Sequence, residues 1–237
     1  MTIMQATDRR ITDKLIVAID RSSRDDILRL ADALHDAAGM LKIGLQAFIA
    51  NGPSIVREVI ARGSKVFLDL KIHDIPNTAR HAVAEAASLG AVMLTVHASG
   101  GDAMLRASVE AAQGSGMTLL GVTVLTSLDD AEVYRIGFPG TARDTAVRLA
   151  KLARESGLRG VVASMHDVAA IREACGSEMR IVVPGIRPEG SGAGDQRRTT
   201  TPAAAIAAGA DYIVVGRPIT DASDPRAAAL TLVDSLG

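Results

Sequence analysis

The chain has little cysteine, few aromatic residues and no excess of either charge. Cys175 is the single cysteine, which excludes a disulfide framework and a cysteine metal cluster, and its place in a helical pattern favours simple packing. Tryptophan is absent, and 26 basic residues against 27 acidic ones leave a net charge of −1 with no basic block. We therefore expect no nucleic-acid partner.

Long apolar runs are also missing, although 48% of the residues are hydrophobic. No segment approaches the roughly 20 consecutive apolar residues of a membrane span. The N-terminal sequence MTIMQATDRR has no apolar stretch of the kind found in secretory signals. The sequence therefore predicts a globular protein with no membrane partner and a cytoplasmic location.

Eight short apolar runs alternate with amphipathic helical segments. This alternation predicts parallel strands, because each crossover must carry the chain back along the sheet. We expect an α/β protein in which eight units close into a (β/α)₈ (TIM) barrel, as one domain over residues 1–237. An open doubly wound sheet is the alternative, but it requires a glycine-rich turn after the first strand, where this chain has Asp-Arg-Ser-Ser. The predicted strands cover residues 15–20, 40–44, 65–71, 92–97, 118–125, 160–164, 180–185 and 212–217.

Charged residues lie at or near the C-terminal ends of the first three predicted strands, where the active sites of such barrels are found. Asp20 ends the first strand, Lys42 lies in the second, and Asp69 and Lys71 lie in the third. Because strand side chains alternate in direction, Asp69 and Lys71 share one face and point into the barrel mouth. Alternating charges of this kind are typical of sites that tune acid–base chemistry. An ion-pair network that only fills the barrel top is the structural alternative.

Asp74 extends this cluster to the pattern Asp-x-Lys-x-x-Asp. It stands just before Pro76, at the start of a predicted helix, so a capping residue is the simpler interpretation of Asp74. We expect His97, at the end of the fourth strand, to be structural. The histidines form no set with carboxylates at metal-ligand spacing, and we therefore expect no metal site.

Two glycine–arginine pairs follow the last two predicted strands. Gly185 and Arg187 come after the seventh, and Gly216 and Arg217 come after the eighth. Phosphate sites in these barrels are commonly built by the same two loops, where glycine admits backbone N–H groups and arginine supplies a bidentate donor. Surface charge is the alternative for either arginine. The glycine-rich segment 188–198 between the pairs is either a flexible surface connection or a lid over a phosphorylated ligand.

The chain resembles the orotidine 5′-phosphate decarboxylase family over nearly its full length. The most specific segment is DLKIHDIPNT, and the resemblance implies conversion of orotidine 5′-monophosphate (OMP) to UMP in pyrimidine biosynthesis, without a metal or cofactor. The matching segments, in the family's order, are LIVAID (15–20), KIG (42–44), FLDLKIHDIPNT (67–78), VTVLTS (122–127), VVPGIRPEG (182–190), DQRR (195–198) and DYIVVGRPIT (211–220).

The resemblance also implies a role for individual residues. Asp69 would lie against the substrate carboxylate and Lys71 would protonate C6 as CO₂ leaves, with Lys42 and Asp74 completing the charged array. Asp74 and Thr78 would reach into the site of the other subunit, which implies a homodimer. The implied substrate-binding residues are Asp20 at the ribose, Thr126 and Ser127 at the pyrimidine edge, Gln196 of the lid between base and phosphate, Arg187, Gly216 and Arg217 at the phosphate, and Pro184.

Two other functions remain open at this point. Magnesium-dependent sugar-phosphate decarboxylases and synthases resemble the chain through Asp-x-Lys-x-x-Asp, although the HDIPNT continuation and Gln196 favour the nucleotide enzyme. A non-catalytic binder of phosphorylated metabolites would keep the arginines but would not need the lysine–aspartate set.

Overall fold

The computed structural model describes residues 11–186 and 201–236, which form a closed barrel of parallel strands surrounded by helices. Each strand pairs in parallel with the next, and the last returns to the first through Leu15 opposite Ile213. The predicted (β/α)₈ barrel is therefore confirmed, and closure excludes the open sheet. The strands are β1 (Leu15–Ile19), β2 (Met40–Gly44), β3 (Val66–Ile72), β4 (Met93–His97), β5 (Thr118–Val122), β6 (Gly160–Val162), β7 (Arg180–Val183) and β8 (Tyr212–Val215).

Helices connect the strands around the outside of the barrel. The helical pattern over residues 46–63 forms two helices, because Gly52 adopts a φ of 68° and Pro53 has no N–H to continue the hydrogen-bond ladder. None of the helices within residues 11–186 and 201–236 is long and apolar enough to cross a bilayer. The helices are α1 (Arg24–Leu34), α2 (Leu45–Asn51), α3 (Ser54–Ala61), α4 (Pro76–Ser88), α5 (Gly101–Ala112), α6 (Asp130–Arg135), α7 (Ala142–Glu155), α8 (Val168–Cys175), α9 (Pro202–Ala207), α10 (Arg217–Thr220) and α11 (Pro225–Asp234).

Apolar side chains fill both faces of the barrel wall. Leu15 and Val17 of β1 pack under the helices, whereas Ile16 faces the barrel interior, as strand alternation requires. Phe67 lies in the interior cluster and is 1% exposed. Burying a side chain of this size contributes roughly 1.5–3 kcal/mol. Asp69 lies two residues further along β3 than Phe67, so the apolar interior forms a floor beneath it.

At the opposite end of the barrel, Arg172 ties α8 to the starts of β7 and β8. Its guanidinium donates to the backbone oxygens of Gly176, Ser177, Met179 and Gly209 and pairs with Asp211 at 2.7 Å. The same Asp211 oxygen accepts a hydrogen bond from the backbone N–H of Ile181.

Replacing Arg172 by Met should therefore destabilise the protein. We expect the free energy of unfolding to fall by about 2–3 kcal/mol, because several acceptors lose a charged donor. Arg226→Met is the matched control, since Arg226 pairs with Asp36 at the exposed surface. This substitution should lower the free energy of unfolding by less than about 1 kcal/mol. Urea unfolding of both variants measures the difference, and equal losses would show that the Arg172 bonds add nothing beyond a surface pair.

Candidate active site

A cavity of about 650 Å³ opens at the C-terminal ends of the strands. Charged side chains of β1 to β3 lie on one side of it, and Pro184, Gly185, Gly216 and Arg217 lie on the loops after β7 and β8. The apolar residues that also line the cavity include Ala18, Val122, Val124, Leu125, Val162, Ala163, Ile186 and Val214. A pocket of this size, whose lining combines apolar groups with converging polar groups, is typical of a small-molecule site.

Four of the lining side chains, Asp20, Lys42, Asp69 and Lys71, form a continuous line of alternating charge, which we call the charged row. The Nζ atom of Lys42 lies 3.3 Å from Asp20 Oδ1 and 3.4 Å from Asp69 Oδ2. The Nζ atom of Lys71 lies 2.8 Å from Asp69 Oδ1. Both oxygens of Asp69 thus face an ammonium group, and the structure brings together the four residues that the sequence places at adjacent strand ends.

Asp69 is the most deeply buried member of the charged row, with 8% of its surface exposed. Burial alone would raise the pKa of its carboxyl, but the charges of Lys42 and Lys71 and hydrogen bonds from Lys71 and Thr95 outweigh burial and lower the pKa. Asp69 is therefore ionised at neutral pH. Its contribution to stability is fully present above the unfolded-state pKa of about 4 and is lost as the pH falls through the lower folded-state pKa.

The backbone of β3 departs from a regular strand at the charged row. The register with β4 shifts between Leu68 and Ile72, and Lys71 has a φ of 51°, the left-handed region that residues with a side chain rarely adopt. Simple alternation therefore does not explain why Asp69 and Lys71 face the same pocket. Their proximity depends on this local irregularity, which the sequence pattern did not predict.

Thr95 of β4 is a site residue that the sequence analysis missed. It is fully buried, its hydroxyl donates to Asp69 Oδ1 at 2.9 Å, and its Oγ1 accepts a hydrogen bond from the backbone N–H of Lys71 at 2.9 Å. The available signal was a single hydroxyl in the middle of the apolar run VMLTVH, because such a group must find partners when it is buried.

His97 ends β4 beside the charged row but does not line the pocket. Its ring centroid lies 5.2 Å from that of His73. Burial lowers the pKa of His97, the nearby His73 and Lys71 lower it further, and Asp69 acts in the opposite direction. His97 is therefore neutral at neutral pH, which fits the structural role expected from the sequence.

Of the candidate residues that the structure describes, three lie outside the pocket of their own chain. Asp74, Thr78 and Ser127 are exposed and do not line the cavity, whereas Thr126 next to Ser127 does. Asp74 accepts a hydrogen bond from the backbone N–H of Ile75 at 2.7 Å, but Ile75 is the N-cap residue of α4. Asp74 is therefore not the helix cap that the simpler interpretation expected.

The loops after β7 and β8 bring the predicted phosphate-binding residues Gly216 and Arg217 to the same cavity as the charged row. Gly216 directly precedes α10, which begins at Arg217. Arg21, which the sequence analysis did not single out, also lines the cavity and pairs with Asp221 just after α10. Arg187, Gln196 and the predicted lid over 188–198 lie outside the described residues.

Comparisons with known proteins agree with one another on the family. A family model described as "Orotidine 5′-phosphate decarboxylase / HUMPS family" matches residues 13–232. The chain is 47% identical to an orotidine 5′-phosphate decarboxylase of Vibrio parahaemolyticus (95% of this chain, 98% of the relative) and 48% identical to one of a Methylobacterium species (94% and 95%). A crystal structure of orotidine 5′-phosphate decarboxylase from Lactobacillus acidophilus aligns with a TM-score of 0.82 at 34% identity, covering 94% of this chain and 98% of that one. The chain belongs to the orotidine 5′-phosphate decarboxylase / HUMPS family.

Proposed function

We propose that this protein decarboxylates OMP to UMP and CO₂, a step of pyrimidine biosynthesis. The observation that carries the proposal is the charged row, with the buried Asp69 at its centre, in a cavity that Gly216 and Arg217 also line. The names of the Vibrio and Methylobacterium relatives support the same substrate. A nucleotide needs both features, an array of charge at its reacting end and donors at its phosphate end.

The charged row supplies what this decarboxylation requires. Loss of CO₂ from C6 leaves an electron pair in the plane of the pyrimidine ring, where the π system does not delocalise it. The ammonium group of Lys71 stabilises that developing charge and then donates a proton to C6, so the C–CO₂ bond is replaced by a C–H bond. Lys42 and Lys71 together keep Asp69 ionised beside the substrate carboxylate.

The opposite end of the cavity binds the phosphate in this proposal. Gly216 and Arg217 are described there, and Arg187 and Gln196 complete the predicted set outside the described residues. Asp20 binds the ribose between the two ends, and Thr126 meets the pyrimidine edge with Ser127 beside it. Pro184 lines the same cavity.

Removing the phosphate from the substrate should slow the chemistry as well as weaken binding. Orotidine, at saturation, should react at least about 100-fold more slowly than OMP, because remote binding energy holds the reacting carbon against the charged row. Steady-state rates with both substrates measure this effect. Arg217→Ala should slow OMP turnover and leave orotidine turnover unchanged. Equal saturated rates for orotidine and OMP would contradict a catalytic role for the phosphate.

The proposal includes a homodimer in which Asp74 and Thr78 enter the site of the other subunit. The exposure of residues 73–78 and the absence of Asp74 from its own pocket support this arrangement. Ile75, between the two, is 66% exposed, so this surface also offers an apolar side chain to a partner. The cytoplasmic location stays a prediction.

We propose further that the reaction needs no metal. The support lies in Asp69, whose two oxygens already face the ammonium groups of Lys42 and Lys71, so a cation there would have to displace a lysine. Within residues 11–186 and 201–236, no three His, Cys, Asp or Glu side chains are grouped as a metal site would require. The magnesium-dependent sugar-phosphate enzymes of the same barrel type are the alternative.

Product analysis tests the substrate assignment. Purified protein is incubated with OMP, or with hexulose phosphate and magnesium, and the products are separated by chromatography. Formation of UMP from OMP, with no turnover of the sugar phosphate, supports the proposal. Turnover of the sugar phosphate alone would replace it with the magnesium-dependent alternative. Binding of OMP without any product would indicate a non-catalytic binder.

A further inference from the structure

Thr95 is a buried hydroxyl that joins two members of the charged row without lining the pocket. None of its surface is exposed. A hydroxyl has one proton to donate, and here the proton goes to Asp69 Oδ1, while Oγ1 accepts the backbone N–H of Lys71, both at 2.9 Å. One side chain on β4 therefore bonds to the carboxylate of Asp69 and to the backbone of Lys71.

The irregular register of β3 explains why a side chain makes these contacts. Leu68 pairs with Leu94 and Ile72 pairs with Val96, so the three residues 69–71 lie opposite Thr95 alone. In a regular ladder, a strand carbonyl would accept the N–H of Lys71. The hydroxyl of Thr95 takes the place of that carbonyl, at the residue whose φ is 51°. In this backbone conformation, the Lys71 side chain reaches Asp69 at 2.8 Å.

We propose that Thr95 is a positioning residue for the decarboxylation, whose hydroxyl holds both the left-handed backbone of Lys71 and the orientation of the Asp69 carboxylate. The inference rests on the function proposed above, because it assigns Thr95 its role through Lys71 and Asp69. The substrate does not contact Thr95 in this arrangement, since the two charged residues lie between the hydroxyl and the cavity.

The surroundings of Asp69 make the effect of the hydroxyl measurable. Among residues 11–186 and 201–236, the charged or titratable groups that face Asp69 are Lys42 from β2, Lys71 from its own strand and His97 from β4, and Thr95 is a neutral donor beside them. Without the hydroxyl, the carboxylate loses a donor and the part-buried N–H of Lys71 loses its partner. The pKa of Asp69 should then rise, and the ammonium group of Lys71 should lose its fixed position.

Thr95→Val tests the proposal, because it keeps the shape of the side chain and removes the hydroxyl. We expect kcat for OMP to fall by about 10- to 100-fold, by analogy with the loss of hydrogen-bond partners that orient metal ligands. Affinity for UMP should change less than about threefold, since UMP has no carboxylate to meet the charged row. Thr95→Ser, which restores the hydroxyl, should recover most of kcat. The acid limb of the pH profile of kcat should move to higher pH in Thr95→Val only.

Thr123→Val is the matched control. Thr123 follows β5, is 5% exposed and donates to the backbone oxygen of Val162 without contacting the charged row. The Thr123→Val substitution should leave kcat and the pH profile of kcat unchanged. A Thr95→Val enzyme with normal kcat and an unmoved acid limb would overturn the proposal. So would a Thr95→Ser enzyme as slow as Thr95→Val, because shape and not the hydroxyl would then matter.

A carboxyl ¹³C NMR titration of Asp69 in the substrate-free protein separates this inference from the proposed function. The pKa of Asp69 should be higher in Thr95→Val than in the wild type, whether or not OMP is the substrate. An unchanged pKa of Asp69 would refute the claim that the Thr95 hydroxyl orients and stabilises the carboxylate. Inactivity of the wild type on OMP would refute only the function. If Thr95→Val does not fold, the smaller Thr95→Ala is titrated and assayed with the same expectations.

Discussion

Replacing Lys71 by Ala should lower kcat/KM for OMP by at least about 10⁴-fold, because one group both stabilises the developing charge and donates the proton. Affinity for UMP should remain, since the phosphate end of the cavity is intact. Asp69 keeps Lys42, 3.4 Å away, and the hydroxyl of Thr95 as partners, so the carboxylate is not left unpaired and the fold should persist. Steady-state turnover together with UMP binding by calorimetry measures both expectations.

Lys65→Ala is the matched control for this experiment. Lys65 directly precedes β3 at the opposite end of the barrel and is exposed, so the same substitution there should leave turnover unchanged. A Lys71→Ala enzyme that kept more than about a tenth of the wild-type kcat would contradict the proton-donor assignment, because general acid catalysis alone contributes at least about 100-fold. Loss of UMP binding in parallel would instead indicate a collapsed site.

Mixing inactive Lys71→Ala and Asp74→Ala chains should restore activity if Asp74 enters the partner's site. Each mixed dimer then contains one site with both residues intact and one with neither. After full exchange, about half of the dimers are mixed, so about one quarter of the wild-type activity per site should return. The assay follows OMP turnover after subunit exchange, with exchange itself verified by native mass spectrometry of size-tagged chains.

Lys71→Ala mixed with Asp69→Ala provides the control for this complementation. Lys71 and Asp69 contact each other within one chain, so every mixed dimer carries a lesion in each site and no activity should return. Demonstrated exchange without recovery in the first mixture would mean that each chain builds its own site. Asp74 would then have to move into the pocket of its own chain.

The sequence was sufficient to predict the barrel because its strands are short apolar runs separated by helical patterns. The run LIVAID, for example, corresponds to β1, buried on both faces. The positions of Asp20 and Lys42 followed for the same reason, since parallel strands bring their carboxyl ends to one edge. Gly52 and Pro53 are residues at which a helix commonly ends, yet the periodic pattern on both sides of them predicted one helix where the structure has α2 and α3.

The contacts that hold Asp69 and Lys71 in place were harder to predict, because they join residues of different strands that are distant in sequence. Thr95 lies 26 residues beyond Asp69, and nothing in either segment indicates that three residues of β3 face one of β4. Arg21 was missed because its partner, Asp221, lies 200 residues away. The roles of Arg187 and Gln196 remain predictions from the resemblance, since both lie outside the described residues.

The most direct test of the central claim, that side-chain charges and not a metal perform the decarboxylation, is the OMP turnover rate of protein dialysed against EDTA. The absorbance decrease of OMP is followed in metal-free buffer, and again after magnesium is restored. The account predicts the same rate in both buffers, with Lys71→Ala inactive in both. If dialysis abolished the activity and magnesium restored it, the account would be contradicted, and the site would be that of a metal-dependent enzyme of the same barrel type.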